Sequence, residues 1–480
     1  MIFKDRFMVI KLINLKNILL KHKYNISLLI IWLFITLITL LNHEIWRDEA
    51  QVWCIVRDLN IIDIFKTARI EGHPMLWYLI VMPFAKLGFP VISMQMLSLL
   101  LVFAAVVFLI FRSPFNNFFK TIVVFSSGML YFIPVVARNY ALIPIFIFIL
   151  ADLYKKRTER PFLYIFILIL LSHTHILMLC FCLVLFIFFA VEKIIEYIKN
   201  KNIRLLYPVL ILFLNFLLLF FVFNNTSREN FVVAGYGLKG FTLLEILQDF
   251  SSIYFSPLFN NFPGINFFIF YSCIGLILYS FSKYDKKCAI LLLTSLIYFI
   301  FVYSKVWFGG VPYQKGFVLY LILLFCFWII KTKTNTDRQS DIYISILFII
   351  SLLLAPVVIL GDINYNFSGG KQTAEFIRKN LNNENTFIVI GYPYTYSPIS
   401  AYLPDKKLYY YHQNYYISYF NFSADNKYIK SEFPDNAIYY IVQDDFVLNE
   451  NMGFRLLFVS DKENISSGKE KEIFSIYIRE

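Results

Sequence analysis

Residues 24–42 read YNISLLIIWLFITLITLLN, an apolar stretch without a charged side chain. A helix needs about 20 such residues to cross a bilayer. Similar stretches recur along the chain, and we expect eleven of them to span the membrane: 24–42, 91–111, 121–136, 140–153, 161–172, 175–191, 205–223, 265–282, 288–304, 316–330 and 342–360. The sequence therefore predicts a polytopic α-helical membrane domain over residues 24–360.

The composition of the chain excludes several soluble classes of protein. Of its 480 residues, 59% are hydrophobic and only 16% are charged. A soluble domain is about 45–50% apolar and about 25% charged. The six cysteines are scattered, so they predict neither a disulfide framework nor a zinc site. A soluble enzyme, a disordered protein and a secreted disulfide scaffold are excluded.

The positions of the basic residues predict how the helices are oriented. The net charge is +12, but six Lys and Arg residues lie in the tail 1–23 and sixteen lie in short connectors. The connectors are 112–120, 155–160, 193–204, 283–287 and 331–338. Such residues favour the cytoplasmic side. We therefore expect a cytoplasmic (inner) membrane protein with a cytoplasmic N-terminus and no nucleic-acid partner.

Residues 75–89 form a twelfth apolar stretch, which is short and contains Pro83. If this stretch lies in the interface rather than across the membrane, every basic connector falls on the cytoplasmic side. We prefer that interpretation. The spacing of apolar residues over 239–254 predicts a second interfacial helix, on the outer surface.

The sequence changes character after residue 360. Polar loops alternate with a helix-like segment, 371–381, and short runs of β-branched and aromatic residues. These runs are 386–390, 407–411, 438–442, 455–459 and 473–478. The pattern predicts a small extracytoplasmic α/β domain over residues 361–480.

Polar side chains gather on the predicted outer side. The first outer loop, 43–90, contains His43, Arg47, Asp48, Glu49, Glu71 and His73, and later outer segments add Arg138, Tyr140, His173, His175, Lys305 and Lys315. Ionisable groups in or near a membrane are costly, so they indicate function.

The adjacent carboxylates Asp48 and Glu49 are the strongest catalytic candidates. Neighbouring residues on a helix point about 100° apart. One carboxylate can therefore face a cavity while a neighbouring group holds the other. Partial desolvation should raise the proton affinity of a carboxylate here, which suits a general base. The alternative is a solvated helix start, where the helix dipole favours acidic residues.

The first outer loop could also bind a divalent cation, because its acidic and histidine side chains supply suitable oxygen and nitrogen ligands. Their spacing matches no compact metal motif, so metal binding stays open. A Gly-rich phosphate loop is absent from the sequence, which gives no support for a soluble nucleotide donor. No cofactor is required by the sequence.

Three short strings carry a resemblance to a known family. WRDEAQ at 46–51, EGHPMLWY at 71–78 and ARNYAL at 137–142 resemble the GT-C glycosyltransferases. These include protein O-mannosyltransferases and aminoarabinose transferases of lipid A. The family is marked by an acidic pair in the first outer loop and by a His-Pro segment after it. The resemblance covers about residues 20–330 in architecture.

The resemblance implies a GT-C fold and an enzyme that moves a sugar from a polyprenyl-phosphate-linked donor to a lipid, polysaccharide or protein acceptor outside the cytoplasm. A phosphate leaving group needs no general acid, whereas glycosidases use two carboxylates. We expect Asp48 to be the general base and Glu49 its partner or an acceptor-positioning group. Arg138, together with Lys305 or Lys315, would hold the phosphate, and Glu71, His73 and Tyr140 would shape the donor pocket. The candidates for a polar cavity are His43, Arg47, His173 and His175. For His173 and His175 the favoured alternative is a pair of hydrogen-bonded structural histidines.

Three other functions fit a membrane protein of this kind. A transporter or flippase of lipid-linked saccharide would carry charges at mid-membrane. A surface-polysaccharide polymerase or ligase would rely on a large later loop, for which 224–264 is the candidate. A scaffold that only presents the domain 361–480 would leave the Asp48–Glu49 pair without a purpose.

Overall fold

The fold is that of a computed structural model of the chain. It describes residues 22–223, 242–259, 263–306, 313–334, 338–381, 386–390, 395–406, 408–411, 415–422, 437–443, 447–448, 453–461 and 472–480. The predicted tail 1–23 lies outside the described residues except for its last two.

The described chain is mostly helical. In chain order the helices are α1 (Lys23–Asn42), α2 (Arg47–Asp58), α3 (Ile61–Ile70), α4 (Leu76–Lys86), α5 (Ile92–Arg112), α6 (Asn117–Val124), α7 (Ile143–Leu153), α8 (Pro161–Ser172), α9 (Met178–Asn200), α10 (Tyr207–Phe223), α11 (Leu243–Phe259), α12 (Pro263–Tyr284), α13 (Lys286–Val306), α14 (Tyr313–Lys333), α15 (Arg338–Asn364), α16 (Gly370–Asn380) and α17 (Ser397–Tyr402). Eight helical segments are long and apolar enough to cross a membrane: α1, α5, α9, α10 extended by the preceding turn to Ile203–Phe223, α12, α13, α14 and α15. The chain is a polytopic membrane protein.

Those eight helices coincide with eight of the eleven predicted spans. The other three predicted spans, 121–136, 140–153 and 161–172, contain only shorter helices. α7 has 11 residues, and its Ile147, Phe148 and Leu150 are fully buried in the protein. A helix of that length is typical of a buried core helix rather than of a complete crossing. The count of eleven therefore stays a prediction, and the described residues support eight.

The segment 121–136 is broken because α6 ends at Val124 and a π-helical turn, Gly128–Phe132, follows it. Irregular backbone at membrane depth needs hydrogen-bond partners within the protein. Three neighbouring side chains donate to its carbonyl groups: Trp32 Nε1 to Met129 (3.0 Å), Thr36 Oγ1 to Leu130 (3.3 Å) and Ser98 Oγ to Ile133 (3.0 Å). Side chains of α1 and α5 thus make this break possible.

Gly128 allows α14 to approach the π-helical turn closely. A Cβ atom at Gly128 would lie 2.0 Å from Cγ of Phe317. We expect Gly128→Ala to destabilise the protein by about 1–3 kcal/mol, because the ring must shift in a packed core. The matched control is Gly275→Ala in α12, where a Cβ would meet nothing within 4 Å. Thermal unfolding in detergent should show a lower Tm for Gly128→Ala only, and equal Tm values would contradict this packing argument.

The two predicted interfacial segments are helical. α4, within the predicted segment 75–89, has 11 residues, about half of what one crossing needs. α11 covers the described part of the other segment and extends to Phe259. The ring of Tyr254 on α11 stacks on Phe270 at 4.5 Å between centroids. α11 therefore packs against α12 in addition to any contact with lipid.

The C-terminal part of the chain forms one six-stranded sheet. Its strands are β1 (Thr386–Ile390), β2 (Leu408–Tyr410), β3 (Tyr415–Ile417), β4 (Ala437–Gln443), β5 (Phe454–Val459) and β6 (Phe474–Arg479), in the order β3-β2-β1-β4-β6-β5. β1 pairs in parallel with β2 and β4, and the other pairs are antiparallel. α16 and α17 pack on this sheet through residues such as Ile377 and Ile399. Five strands and α16 lie close to their predicted positions, whereas β3 and α17 were not predicted.

This C-terminal domain contacts α2, whose first turn contains the acidic pair, and the residues just before it. Gln51 donates to the Phe420 carbonyl at 2.6 Å and accepts from the Phe420 amide at 2.9 Å. Further bonds join Arg57 Nη1 to the Ser400 carbonyl (2.9 Å), the Arg47 amide to Glu472 Oε1 (3.1 Å) and the Ile45 amide to the Tyr402 hydroxyl (3.1 Å). α2 thus lies between the helical bundle and the C-terminal domain.

Candidate active site

The candidate site is built around an ion pair between Asp48 and Arg138. Asp48 lies in the first turn of α2, where the helix dipole favours an acidic residue. Arg138 lies just before the 3₁₀ turn Asn139–Leu142. Arg138 Nη1 donates to Asp48 Oδ2 at 2.6 Å, and the two side chains are 11% and 36% exposed. The carboxylate is therefore held by a buried cation but remains accessible.

Four basic side chains, which we name the cation cluster, lie around Asp48. They are Arg138, Arg47, Lys315 and His73, in decreasing order of their effect on the carboxyl. Burial raises the pKa of Asp48, but these charges outweigh burial and hold the pKa below its usual value. A raised proton affinity was expected for Asp48 from the sequence, and that expectation was wrong. It considered burial alone, whereas basic residues distant in the sequence lower the pKa of Asp48.

Glu49 points away from Asp48 into the protein. Its side chain is fully buried, and Oε1 accepts the Ala137 amide at 2.7 Å. Oε2 lies 3.0 Å from Nε2 of His43 and also accepts the Trp46 amide at 3.3 Å. Both oxygens are therefore engaged, and Glu49 fixes the backbone next to Arg138. The structure supports a positioning role for it.

His43 lies between two carboxylates. Its Nδ1 lies 2.8 Å from Asp362 Oδ2, and its Nε2 faces Glu49. Burial lowers the pKa of His43, but the two negative charges outweigh burial and raise the pKa to about 10. Tyr131, in the π-helical turn, also donates to Asp362 Oδ2 at 3.0 Å. His43 is thus a buried imidazolium, and neither Asp362 nor Tyr131 was predicted as a site residue.

Glu71 and His73 lie at the edge of the site, after α3. Glu71 accepts a hydrogen bond from the Tyr78 hydroxyl at 2.6 Å and another from Gln51 Nε2 at 2.8 Å. His73 Nδ1 lies 3.6 Å from Glu71 Oε2, and the His73 side chain is 26% exposed. Gln51, which also binds Phe420, therefore connects this edge of the site to the C-terminal domain.

Tyr140 and His175 form the buried wall beside Arg138. Their rings stack at 4.6 Å between centroids, and Cζ of Arg138 lies 5.7 Å from the centroid of the Tyr140 ring. The Leu177 amide donates to His175 Nδ1 at 3.0 Å. Because Nδ1 accepts, the His175 ring is neutral with its proton on Nε2. The ring of His73 lies 6.2 Å from that of His175.

Two predicted site residues are not part of this arrangement as far as the structure describes it. His173 Nε2 lies 3.0 Å from Asn215 Oδ1 on α10, so His173 packs towards that helix instead of the cation cluster. His173 and His175 thus contact different neighbours, and each is hydrogen-bonded within the protein. A cavity shared by the two rings stays a prediction. Lys305 belongs to α13, but its side chain lies outside the described residues.

No protein-family model matches this chain. No curated protein matches its sequence either.

Arg47 and Glu472 complete the side of the site that faces the C-terminal domain. Arg47 Nε lies 3.9 Å from Glu472 Oε1, while Ser368 donates to Glu472 Oε2 at 2.6 Å. Burial raises the pKa of Glu472 to about 7, although Arg47 lowers it. A carboxyl of that kind neutralises Arg47 only in part near neutral pH. The cation cluster therefore keeps an excess of positive charge.

The described residues of the candidate site do not form a set of metal ligands. Among the described residues, no group of three or more His, Cys, Asp or Glu side chains is arranged to hold a metal ion. Both ring nitrogens of His43 already face carboxylates. We therefore assign no residue to a metal, and the metal stays a prediction. The cation cluster is suited to an anion instead, since Arg and Lys are common ligands of phosphate.

Proposed function

We propose that this protein is a membrane glycosyltransferase of the GT-C type, which moves a sugar from a polyprenyl-phosphate-linked donor to an acceptor hydroxyl on the outer face of the cytoplasmic membrane. The N-terminus would be cytoplasmic, and the C-terminal domain would lie outside. The observation that carries the proposal is the accessible Asp48 carboxylate, paired at 2.6 Å with Arg138 among further cations.

The cation cluster supports a phosphate-bearing substrate. Arg138 presents fixed donors to phosphate oxygens, and Lys315 and Arg47 add positive charge beside it. A lipid-linked donor brings its phosphate to the membrane surface, next to the ends of the spanning helices. The cluster holds residues from the first loop, from the turn at Arg138 and from the start of α14. Its placement between these segments therefore suits a ligand that arrives from the membrane.

The ion pair explains how Asp48 becomes a base only when the donor is bound. In the free protein, Arg138 keeps the carboxyl ionised and weakly basic. A donor phosphate competes with Asp48 for Arg138 and places a negative charge nearby. A nearby anion disfavours the ionised carboxylate, so the pKa of Asp48 rises. Binding of the donor therefore gives Asp48 the higher proton affinity that the reaction needs.

The proposed reaction is a single displacement at the anomeric carbon. The acceptor oxygen forms a bond to that carbon while the bond from carbon to the phosphate oxygen breaks. The bonding electron pair leaves with the phosphate, which Arg138 and Lys315 stabilise. The acceptor proton passes to Asp48, which later releases it to water. One displacement inverts the configuration, and neither a second carboxylate nor a general acid is required.

Tyr140 and His73 are suited to hold the sugar. Among the described residues, the buried Tyr140 hydroxyl has no hydrogen-bond partner. Buried polar atoms normally have one, so this hydroxyl is ready to bind a sugar hydroxyl. The His73 side chain is 26% exposed and remains accessible to the sugar. The neutral ring of His175 stacks on the Tyr140 ring and helps to hold it in place. Glu71 orients His73.

A vesicle assay tests this function. Right-side-out and inside-out vesicles that contain the protein, and matched vesicles without it, receive a panel of radiolabelled polyprenyl-phosphate sugars. The proposal expects label in an acceptor fraction (lipid, polysaccharide or protein) only when the protein is present and the outer face is accessible. Carrier that crosses the bilayer with no transfer would instead identify a flippase and contradict the proposal.

A further inference from the structure

Asp362 is a buried carboxylate in the last turn of α15, far from Asp48 in the sequence. A buried charge without a partner is strongly destabilising, so its contacts are informative. Asp362 Oδ2 contacts two groups, Nδ1 of His43 at 2.8 Å and the hydroxyl of Tyr131 at 3.0 Å. Neither contact belongs to the chemistry described above.

These contacts continue without interruption to Arg138. The protonated His43 ring bridges Asp362 and Glu49, with Nε2 at 3.0 Å from Glu49 Oε2. The other oxygen of Glu49 accepts the Ala137 amide at 2.7 Å. Ala137 directly precedes Arg138, whose side chain holds Asp48. Each contact is a charge-assisted hydrogen bond, the strongest kind in proteins.

We propose that Asp362 is a positioning residue: through His43 and Glu49 it fixes the Ala137–Arg138 backbone, and so places the Arg138 guanidinium where it can bind the donor phosphate. This role rests on the proposed function in naming phosphate as the ligand. The contacts of Asp362 are with His43 and Tyr131, and it takes no direct part in the proposed transfer. It links the end of the last spanning helix to the site through groups that water does not reach.

The positive charge on His43 is needed for the chain of contacts from Asp362 to Ala137. Only the imidazolium donates from both ring nitrogens, whereas the neutral ring has one proton and loses one of its two bonds. The charged and titratable groups that face His43 are Glu49 from α2, Asp362 from α15, Tyr131 from the π-helical turn and the neighbouring Glu44. Because the two carboxylates raise the pKa of His43 to about 10, the bridge stays intact at neutral pH and is lost as the pH rises towards 10.

The test is binding of sugar-free polyprenyl phosphate to the full chain in lipid nanodiscs, with Asp362→Asn. The amide keeps an acceptor for His43 but removes the negative charge, so the pKa of His43 falls. We expect binding about tenfold weaker at pH 7, and a further loss between pH 7 and 9 relative to wild type. The matched control is Asp341→Asn on the same helix, whose carboxylate pairs with Lys331 at 2.7 Å. It should bind as wild type does at every pH.

A double-mutant cycle tests the path of the effect. If Asp362 acts through Glu49, Asp362→Asn combined with Glu49→Gln should weaken binding no more than the larger single effect, because neighbours in one network are not additive. Independent, multiplied effects would overturn the proposed path. If Asp362→Asn does not fold, Tyr131→Phe removes one hydrogen bond to Asp362 and should weaken binding in the same direction by a smaller factor.

The outcomes separate this inference from the proposed function. If wild type binds polyprenyl phosphate but transfers no sugar, the proposed function fails, while binding still measures the role of Asp362. If wild type transfers sugar and Asp362→Asn matches it in both affinity and pH profile, the positioning role is overturned and the proposed function stands. If wild type does not bind the phosphate at all, both fail.

Discussion

Asp48→Asn is expected to lower the rate of sugar transfer by about 10²–10⁴-fold, the usual contribution of a general base. The amide cannot accept the acceptor proton, although it is close in shape to the carboxylate. Because Asn also relieves the competition for Arg138, donor binding should be unchanged or stronger. The measurement is kcat and KM for the donor in reconstituted vesicles. A lower kcat without a higher KM would separate a catalytic defect from a binding defect.

The control for that experiment is Asp63→Asn. Asp63 is an exposed carboxylate on α3 that forms an ion pair with Lys66 at 3.1 Å. The same chemical change there should leave both kinetic parameters unaltered. Asp48→Asn protein should still fold and show one cooperative thermal unfolding transition, at a Tm lowered by the loss of the charge that pairs with Arg138. Full activity in the Asp48→Asn variant would end the assignment of Asp48 as the base.

The second large effect is expected for Arg138→Gln. In the proposed reaction, loss of the guanidinium removes the principal contact for the phosphate and the charge that would stabilise the phosphate as it leaves. We expect kcat/KM for the donor to fall by about 10²–10³-fold, as when one key transition-state donor is removed. The affinity for sugar-free polyprenyl phosphate should fall as well, which was not expected for Asp48→Asn.

Arg112→Gln is the matched control for Arg138. Arg112 ends α5 and forms a largely exposed ion pair with Asp152 at 2.8 Å. Such surface pairs contribute little, about 0–1 kcal/mol, so this variant should behave as wild type. If Arg138→Gln bound the phosphate as tightly as Arg112→Gln does, the phosphate would have to bind elsewhere.

The long apolar runs predicted the fold better than the short ones did. Eight of the predicted stretches, 15 to 21 residues long, lie in long helices, because about 20 apolar residues in a helix can cross the bilayer. The stretch 121–136 contains a break that its composition does not reveal, because a buried break is possible only where side chains such as Trp32 supply hydrogen bonds. β3 and α17 were missed since three to six residues show no reliable periodicity. Five strands were found because each is a compact apolar run between polar loops.

Sequence reasoning predicted which residues lie close together in the candidate site better than it predicted their contacts. Asp48, Arg138 and His73 do meet, and their polarity beside apolar helices was the signal. The opposite directions of Asp48 and Glu49 follow from helix geometry, but their partners could not be assigned. Asp362 was missed although a lone acid at the end of an apolar run was a usable signal. Its partner His43 is 319 residues away, and no local pattern reveals such a pair.

The position of α2 between the bundle and the C-terminal domain has a consequence for biosynthesis. Gln51 leaves the ribosome 369 residues before Phe420, its hydrogen-bonding partner. During that interval α2 has none of its contacts with the C-terminal domain, and His43 has not yet met Asp362. The nascent chain therefore holds an incomplete first loop until α15 has entered the membrane and the last strands have folded. Under the proposed function, sugar transfer therefore requires α15 and the C-terminal domain to be in place.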